Sequence, residues 1–440
     1  MNKKLKIALI LRYSEQGFAL PIAMGLGLIM VLIAATMIMR SQGDQVTASA
    51  QKATAQSLAV AEGGISRTLA TLNQSNPDVS SLLKRNYDPN ALLGSAVNEW
   101  TASNMPPCTT TTGLLSGTIG NSTYQVLAYR YDATNKTGTL LVKGLAPYGG
   151  ALSESRVQQA FNVSPKSGSL IGVLGTNNIA LGNNDIRGIN GNVACTNTTN
   201  CPVTCPYTTA SAKDGIGAGP QAHIDGKIFI GSITTPTLPT MPTVWNGAGT
   251  APTTAFTISL PDYTTNNTTL VFPRSSDFTN HVAGTPYHYS IGTMNANGFN
   301  ITINTVKNAS TNPTGDPVYF WVSGNINMGG SSKLNHNNSS NPSAFRIYGT
   351  STTSQDMVVA SGASDVDAFI FAPNARVGIN GTGTINGMVY AKSFGEVGAN
   401  GNAVVNVPNN PNLASSLADL AVYASNQTDS INSWQRQAVP

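Results

Sequence analysis

Residues 14–40 read SEQGFALPIAMGLGLIMVLIAATMIMR, and the 22 residues from Phe18 to Met39 carry no charge. As a helix this run extends about 33 Å, enough to cross the hydrocarbon core of a bilayer. Lys3, Lys4, Lys6 and Arg12 precede it and Arg40 follows it. The cationic flank stays on the cytoplasmic side, so the sequence predicts a cytoplasmic 1–17 and export of everything beyond the span. A secretory signal peptide has a shorter apolar core with its cleavage site after it. Here the run is too long, and the expected cut precedes it, between Gly17 and Phe18. The alternative is an uncleaved signal anchor.

Pro21 supports the same cut by a separate route. Inside a helix a proline lacks a donor and clashes with the carbonyl four residues back, here that of Gly17. If Phe18 becomes the new N-terminus that carbonyl is gone, and Pro21 is the fourth helical residue, where the N–H has no intrahelical partner anyway. Beyond the span, Val46, Ala50, Ala53, Ser57, Ala61, Ile65, Thr68 and Leu72 recur at intervals of three and four, which marks one stripe of a continuing helix. A helix from 18 to about 73 reaches roughly 80 Å, half in lipid and half as the spine of an exported head. Gly43 and the pair Gly63–Gly64 are candidate bends.

The order EQGFALPIAMGLGLIMVLIAATMIMR followed by QSLAVAEGGISR resembles the N-terminus of PilX-type minor pilins, relatives of the K-type minor pseudopilins. The likeness covers roughly residues 14–70. It implies that prepilin peptidase cleaves after Gly17 and that Phe18 is N-methylated. It also implies a single-pass chain in a bacterial inner membrane with its bulk extracytoplasmic, later joining major and minor pilins in a pilus or pseudopilus. Major pilins carry a Glu at the fifth mature position, whose carboxylate pairs with a neighbouring subunit's terminal amine. This chain has Ile22 there, as PilX- and K-type subunits lack the carboxylate too, and the resemblance implies a tip or priming subunit.

Composition agrees with export. Of the 440 residues only 10% are charged, with 43 Gly and 24 Pro, which suits a turn-rich β protein. Most of the formal +4 lies in the first seventeen residues. With no concentrated basic face and 7% aromatics, the footprint of nucleic-acid binding is missing.

The expected architecture is mainly β with a long N-terminal helix. Residues 91–104 read as a short helix, and 122–132, 137–146 and 155–163 as an antiparallel meander packed on the spine, giving a pilin-like head over 76–165. From 166 to 410 short apolar runs alternate with Gly- and Asn-rich turns, and Val377-Gly-Ile-Asn-Gly381 returns twenty residues later as Val397-Gly-Ala-Asn-Gly401. That pattern predicts irregular rungs of a right-handed parallel β-helix, with a β-sandwich as the alternative. The proline-rich 234–254 reads as an excursion from it. Leu413, Leu417 and Leu420 have helical spacing, which makes 411–440 a cap followed by a tail bearing Trp434.

Four cysteines in an exported chain point to two disulfides among Cys108, Cys195, Cys201 and Cys205, with three pairings open. Zinc is the less favoured reading, since C-x5-C-x3-C lacks a local fourth ligand. His223, His281, His288 and His336 read as loop surface. Asp365 and Asp367 are a weak calcium candidate, and with Arg376 they form the best constellation for a polysaccharide lyase. Otherwise no catalytic motif and no cofactor is expected. The leading expectation is a structural and binding subunit that displays its β-helix for adhesion or for contact with a surface or glycan. A pseudopilin of a secretion or polysaccharide-export apparatus is second, and a surface lyase third. Intact mass spectrometry of membrane-extracted protein is expected to show a chain starting at Phe18 with one methyl group added; a start beyond Met39 excludes the pilin reading.

Overall fold

A computed structural model of the chain describes residues 19–74, 79–101, 104–109, 112–148, 150–166, 168–245, 252–264, 269–298, 300–329, 332–362, 364–398, 401–410, 413–417 and 420–437. It is mainly β with a long N-terminal helix, α1 (Ala19–Leu72). At 54 residues α1 is about 81 Å long. It runs unbroken through Gly43, Gly63 and Gly64, and none of its membrane-length stretch is buried in the protein.

The second half of α1 is the spine of a head. Its stripe of Ala53, Ser57, Val60, Ala61, Ile65, Thr68 and Leu72 is buried. Val46, expected in that stripe, is 59% exposed, and the end of the sheet meets it only through the Tyr148 hydroxyl, which donates to the Val46 carbonyl at 3.4 Å. The partner is an antiparallel sheet containing Ser122–Asp132, Thr137–Tyr148 and Ala151–Pro165. Small residues on both sides set the approach. A Cβ added to Gly144 falls 2.0 Å from the carbonyl oxygen of Ser57, and one added to Gly64 falls 2.7 Å from the Tyr124 ring. The Gly63–Gly64 pair therefore serves close packing rather than bending. Buried Ser57 and Ser155 hydroxyls bond across the same contact at 2.7 Å.

The expected helix over 91–104 is absent. Asp88 is fully buried and its carboxylate accepts from the backbone N–H groups of Leu92 and Leu93 and from Arg130. Those bonds, with Ala91 at a φ of 55°, hold a turn between two short strands, Tyr87–Asp88 and Val97–Asn98. Trp100 then packs between Tyr87 and Tyr129, and its indole N–H donates to the carbonyl of Arg85.

The expected cap and tail over 411–440 also need correction. Leu413–Leu417 is a short helix, but Asn426–Gln437 is a strand that pairs antiparallel with Ala151–Pro165. The head sheet thus holds residues from both ends of the chain, and everything between 166 and 425 is an insertion between its last two strands. Trp434 lies on that returning strand, 48% exposed.

The insertion is a three-faced parallel coil. Every pairing between its named strands is parallel, which excludes the sandwich. One rung runs Tyr287–Ile291, Met294–Asn297 and Asn300–Ile303, and its three strands stack on Val318–Val322, Ile326–Gly329 and Lys333–His336. The rung period is 31 residues there, from Tyr287 to Val318, and 19 where Asp365 pairs with Thr384. The twenty-residue echo is a true stacking relation: Gly378 lies against Val397, and Gly401 against Gly381. Asn side chains line up between rungs, as in Asp367–Asn386–Asn406 at 2.8 and 3.0 Å.

The order of rungs is not the order of the sequence. Along the first face the ten strands stack from Ile228–Ile230 through Asn192–Cys195, Ile171–Ile179, Thr384–Phe394, Asp365–Asn380, Phe345–Gly349, Val318–Val322, Tyr287–Ile291 and Thr257–Ser259 to Val244–Trp245. The chain enters mid-stack at Ile171, builds toward one end, crosses to the other, and returns rung by rung until 384–394 closes against 171–179. The crossing is the segment Gly231–Thr243. Nine strand spacings come to about 43 Å, and the fourteen residue steps from Ile230 to Val244 come to about 43 Å in polyproline II geometry. Pro236, Pro239 and Pro242 recur every third residue, the period of that helix.

Two disulfides settle the pairing left open by sequence. Cys195–Cys201 closes a tight loop, and Cys108–Cys205 joins head to coil across 97 residues. A loop of that size contributes about 4–5 kcal/mol in the chain-entropy account. Filling the closest approach between spine and sheet tests the packing just described. Gly144→Leu is expected to cost about 3 kcal/mol or more, read as a fall in the denaturant midpoint of the solubilised protein, whereas Gly113→Leu, exposed and with open space around it, leaves the clash absent.

Candidate functional site

The residues proposed for processing, Gly17 and Phe18, lie outside the described residues. Pro21 and Ile22 sit at the start of α1, with Ile22 52% exposed on the unpartnered half.

The lyase constellation is not assembled. Asp365 and Asp367 belong to a ladder with Thr384 and Asn386, while Arg376 lies on the next face and forms a bidentate pair with Asp356 at 2.8 Å. Asp367 is buried; that burial raises its pKa, and the Asn386 amide hydrogen bond pulls the other way. Among the described residues no group of three or more His, Cys, Asp or Glu side chains converges as a metal site.

Three of the four histidines are buried, contrary to the loop-surface expectation, because they sit in strands or pack beneath them. His336 donates from Nδ1 to the Asp367 carbonyl at 2.9 Å, so its Nε2 accepts from the Thr305 hydroxyl at 2.6 Å. His281 stacks on Tyr287 and bonds Asp316 at 2.8 Å. His288 accepts from the Trp321 indole N–H at 3.0 Å. His223 remains exposed, beside Asp225.

His288 opens onto a feature that the sequence reading missed. The outward side of the first face is as apolar as the bore. Ladder pairing aligns His288, Tyr319, Arg346 and Phe369 in one column, and Trp321, Tyr348, Phe371 and Tyr390 in the next. Residues 413–417 and 420–424 cover part of this surface, and the Tyr390 hydroxyl accepts from the Val422 N–H. The proline strap crosses the rest, with Leu238 and Met241 turned onto the core. Aromatic-lined grooves hold proline-rich segments in this manner between proteins; here both partners belong to one chain. Between strap and sheet is a cavity of about 620 Å³. Its strap side is Thr235, Pro236, Thr237, Pro239, Thr240 and Pro242; its sheet side is His288, Tyr319, Trp321, Arg346 and Tyr348. Arg346 lies 4.7 Å over the Tyr319 ring. Burial raises the Tyr319 phenol to about 12, with the Arg346 charge opposing the shift. The uninterrupted run AFIFA at 368–372 signals this two-sided burial, since a strand covered on both faces loses its polar alternation.

A family described as a domain of unknown function, DUF7305, matches residues 292–414, which is most of the returning arm of the coil. No curated protein matches the chain. Among solved structures the chain is similar to the competence-associated pilin ComZ from Thermus thermophilus, at 12% identity and a TM-score of 0.26, covering 88% of this chain and 97% of that one. A TM-score of that size does not establish a shared fold.

Burial lowers both His288 and His336 to about 4. An exposed histidine titrates near 6.5, so between those values the unfolded chain binds more protons and stability falls as pH drops through the window. Each ring contributes up to about 3 kcal/mol. Asp367, shifted upward, acts in the opposite sense. The thermal midpoint is expected to fall between pH 7 and pH 4.5, and His288→Gln, which keeps an acceptor for Trp321, is expected to remove about half of that fall.

Proposed function

We propose that this chain is a minor subunit of a type IV pilus-like filament, placed at the tip or in the priming complex, that carries the inserted coil outward for contact with a surface or glycan. The observation that carries the reading is the division of α1. One half is apolar, long enough to span a membrane and unpartnered within the chain. The other half is the buried spine beneath an antiparallel sheet. Such a helix needs lipid before assembly and the apolar helices of other subunits after it, because no part of the chain's own fold covers it.

Ile22 bears on position. In a bundle of such helices an N-terminal ammonium is costly to leave unpaired, and a neighbour's carboxylate offsets that cost. A subunit with Ile22 supplies no carboxylate to the next subunit. The proposal includes prepilin peptidase as the processing partner, pilins as assembly partners, and an inner-membrane location before assembly. The coil, built without a converged catalytic set among the described residues, serves here as a display scaffold.

A pseudopilin of a secretion or polysaccharide-export apparatus is the second reading, and it shares the same helix. Immunogold labelling of isolated filaments separates the two: the tip subunit gives one or a few particles at filament ends, and Ile22→Glu spreads label into the shaft. Regular decoration of the shaft by the unsubstituted protein would end the tip assignment, and label confined to the envelope would favour the secretion reading.

A further inference from the structure

We propose that the cavity beneath the proline strap is a binding site for an acidic saccharide, with Arg346 as the anchor for a sugar carboxylate. The inference deepens the surface-contact reading above and rests on it for its biological setting. Arg346 is a half-buried cation with no ion-pair partner among the described residues, whereas the partly buried Arg130 and Arg274 each face a carboxylate. Its Nε donates to the Ser343 carbonyl, Nη2 to the Ser416 carbonyl and Nη1 to the Tyr348 hydroxyl. Those bonds and the Tyr319 ring fix the plane of the guanidinium and, among the described residues, leave one N–H on each terminal nitrogen. That is the pair of donors a carboxylate takes in bidentate fashion. No acidic side chain is among the described residues that line the cavity.

The rest of the lining decides the class of ligand. Proline rings on one wall and aromatic rings on the other match the C–H faces of a pyranose, and threonine hydroxyls between the prolines match its hydroxyls. A volume of about 620 Å³ falls within the range of small-ligand sites. A peptide is poorly served. Val318–Val322 and Phe345–Gly349 are each paired on both sides, so no strand edge is open to extended backbone at this point. The strap forms one wall of a site that stays open to solvent, and its length is matched to the span it crosses, so that wall is held in place without a loop to order on binding.

The test is titration of the full-length chain in detergent micelles with three probes: oligogalacturonate, maltotetraose as the neutral sugar, and oligoglutamate as an acidic peptide. The expected result is saturable binding of oligogalacturonate, at least about tenfold weaker for the other two, a factor one charge-assisted bond pair carries. Arg346→Gln is expected to weaken that binding about tenfold or more. Because Arg346 also holds Ser343 and Ser416, a second variant guards against misfolding. Thr240→Glu, at an exposed strap position on the cavity wall, is expected to weaken the acidic sugar with an unchanged thermal midpoint. No saturable binding, equal binding of maltotetraose, or equal binding of oligoglutamate would each overturn the proposal. Micellar binding is read whether or not the chain enters filaments, so a failed filament assignment leaves this result standing on its own.

Discussion

The pairing of residues 166 and 169–171 with 422–425 governs the rest of the structure. The Lys166 N–H donates to the Ser425 carbonyl, Ala424 to Ser169, and Ile171 to Val422. This short antiparallel ribbon brings the two ends of the insertion side by side at the middle of the coil. Once they are there, the first rung cannot sit at an end of the stack, and the chain must build in one direction, cross, and return. The strap follows from that necessity. So does the discontinuous head sheet, because the ribbon continues directly into the strands Ala151–Pro165 and Asn426–Gln437.

The ribbon also concentrates mechanical and thermodynamic coupling at one junction. Head and coil meet through those two strands, through Cys108–Cys205, and through the contact of Arg85 with Ser232. Each has its own apolar core. Closing a contact between residues this far apart in sequence carries a loop-entropy cost.

Crossing the stack created a second buried layer. The strap and residues 413–417 and 420–424 shelter an outer face that in an uncovered coil would be polar. Aromatic residues there pack at close range, as Trp321 on Tyr348 at 4.4 Å. The cover is thin and regular, because a polyproline helix has no internal hydrogen bonds and repeats every three residues. It meets flat rings without filling every space between them, and the cavity beside Arg346 is the consequence.

Much of this was legible in the sequence where local physics suffices. The uncharged run 18–39, the stripe from Val46 to Leu72 except its exposed first member, and strands expected at 122–132, 137–146 and 155–163 are set by composition and periodicity over a few turns. Parallel rungs were legible too, from the echo of Val377–Gly381 in Val397–Gly401. The helix expected over 91–104 failed because its competitor was distant: buried Asp88 and Arg130 hold that turn, and neither belongs to the window. The strand within the expected C-terminal tail was not legible for the same reason, as 426–437 finds its partner about 270 residues upstream, Ile431 pairing with Phe161. The sequence by itself determined which residues form a membrane-length helix, a spine and a set of apolar rungs. Only the tertiary structure decided the order of those rungs, the disulfide pairing and the Arg346 cavity. Backbone ladders accept any short apolar strand as a neighbour, so the order is set by where the chain's two ends are tied together.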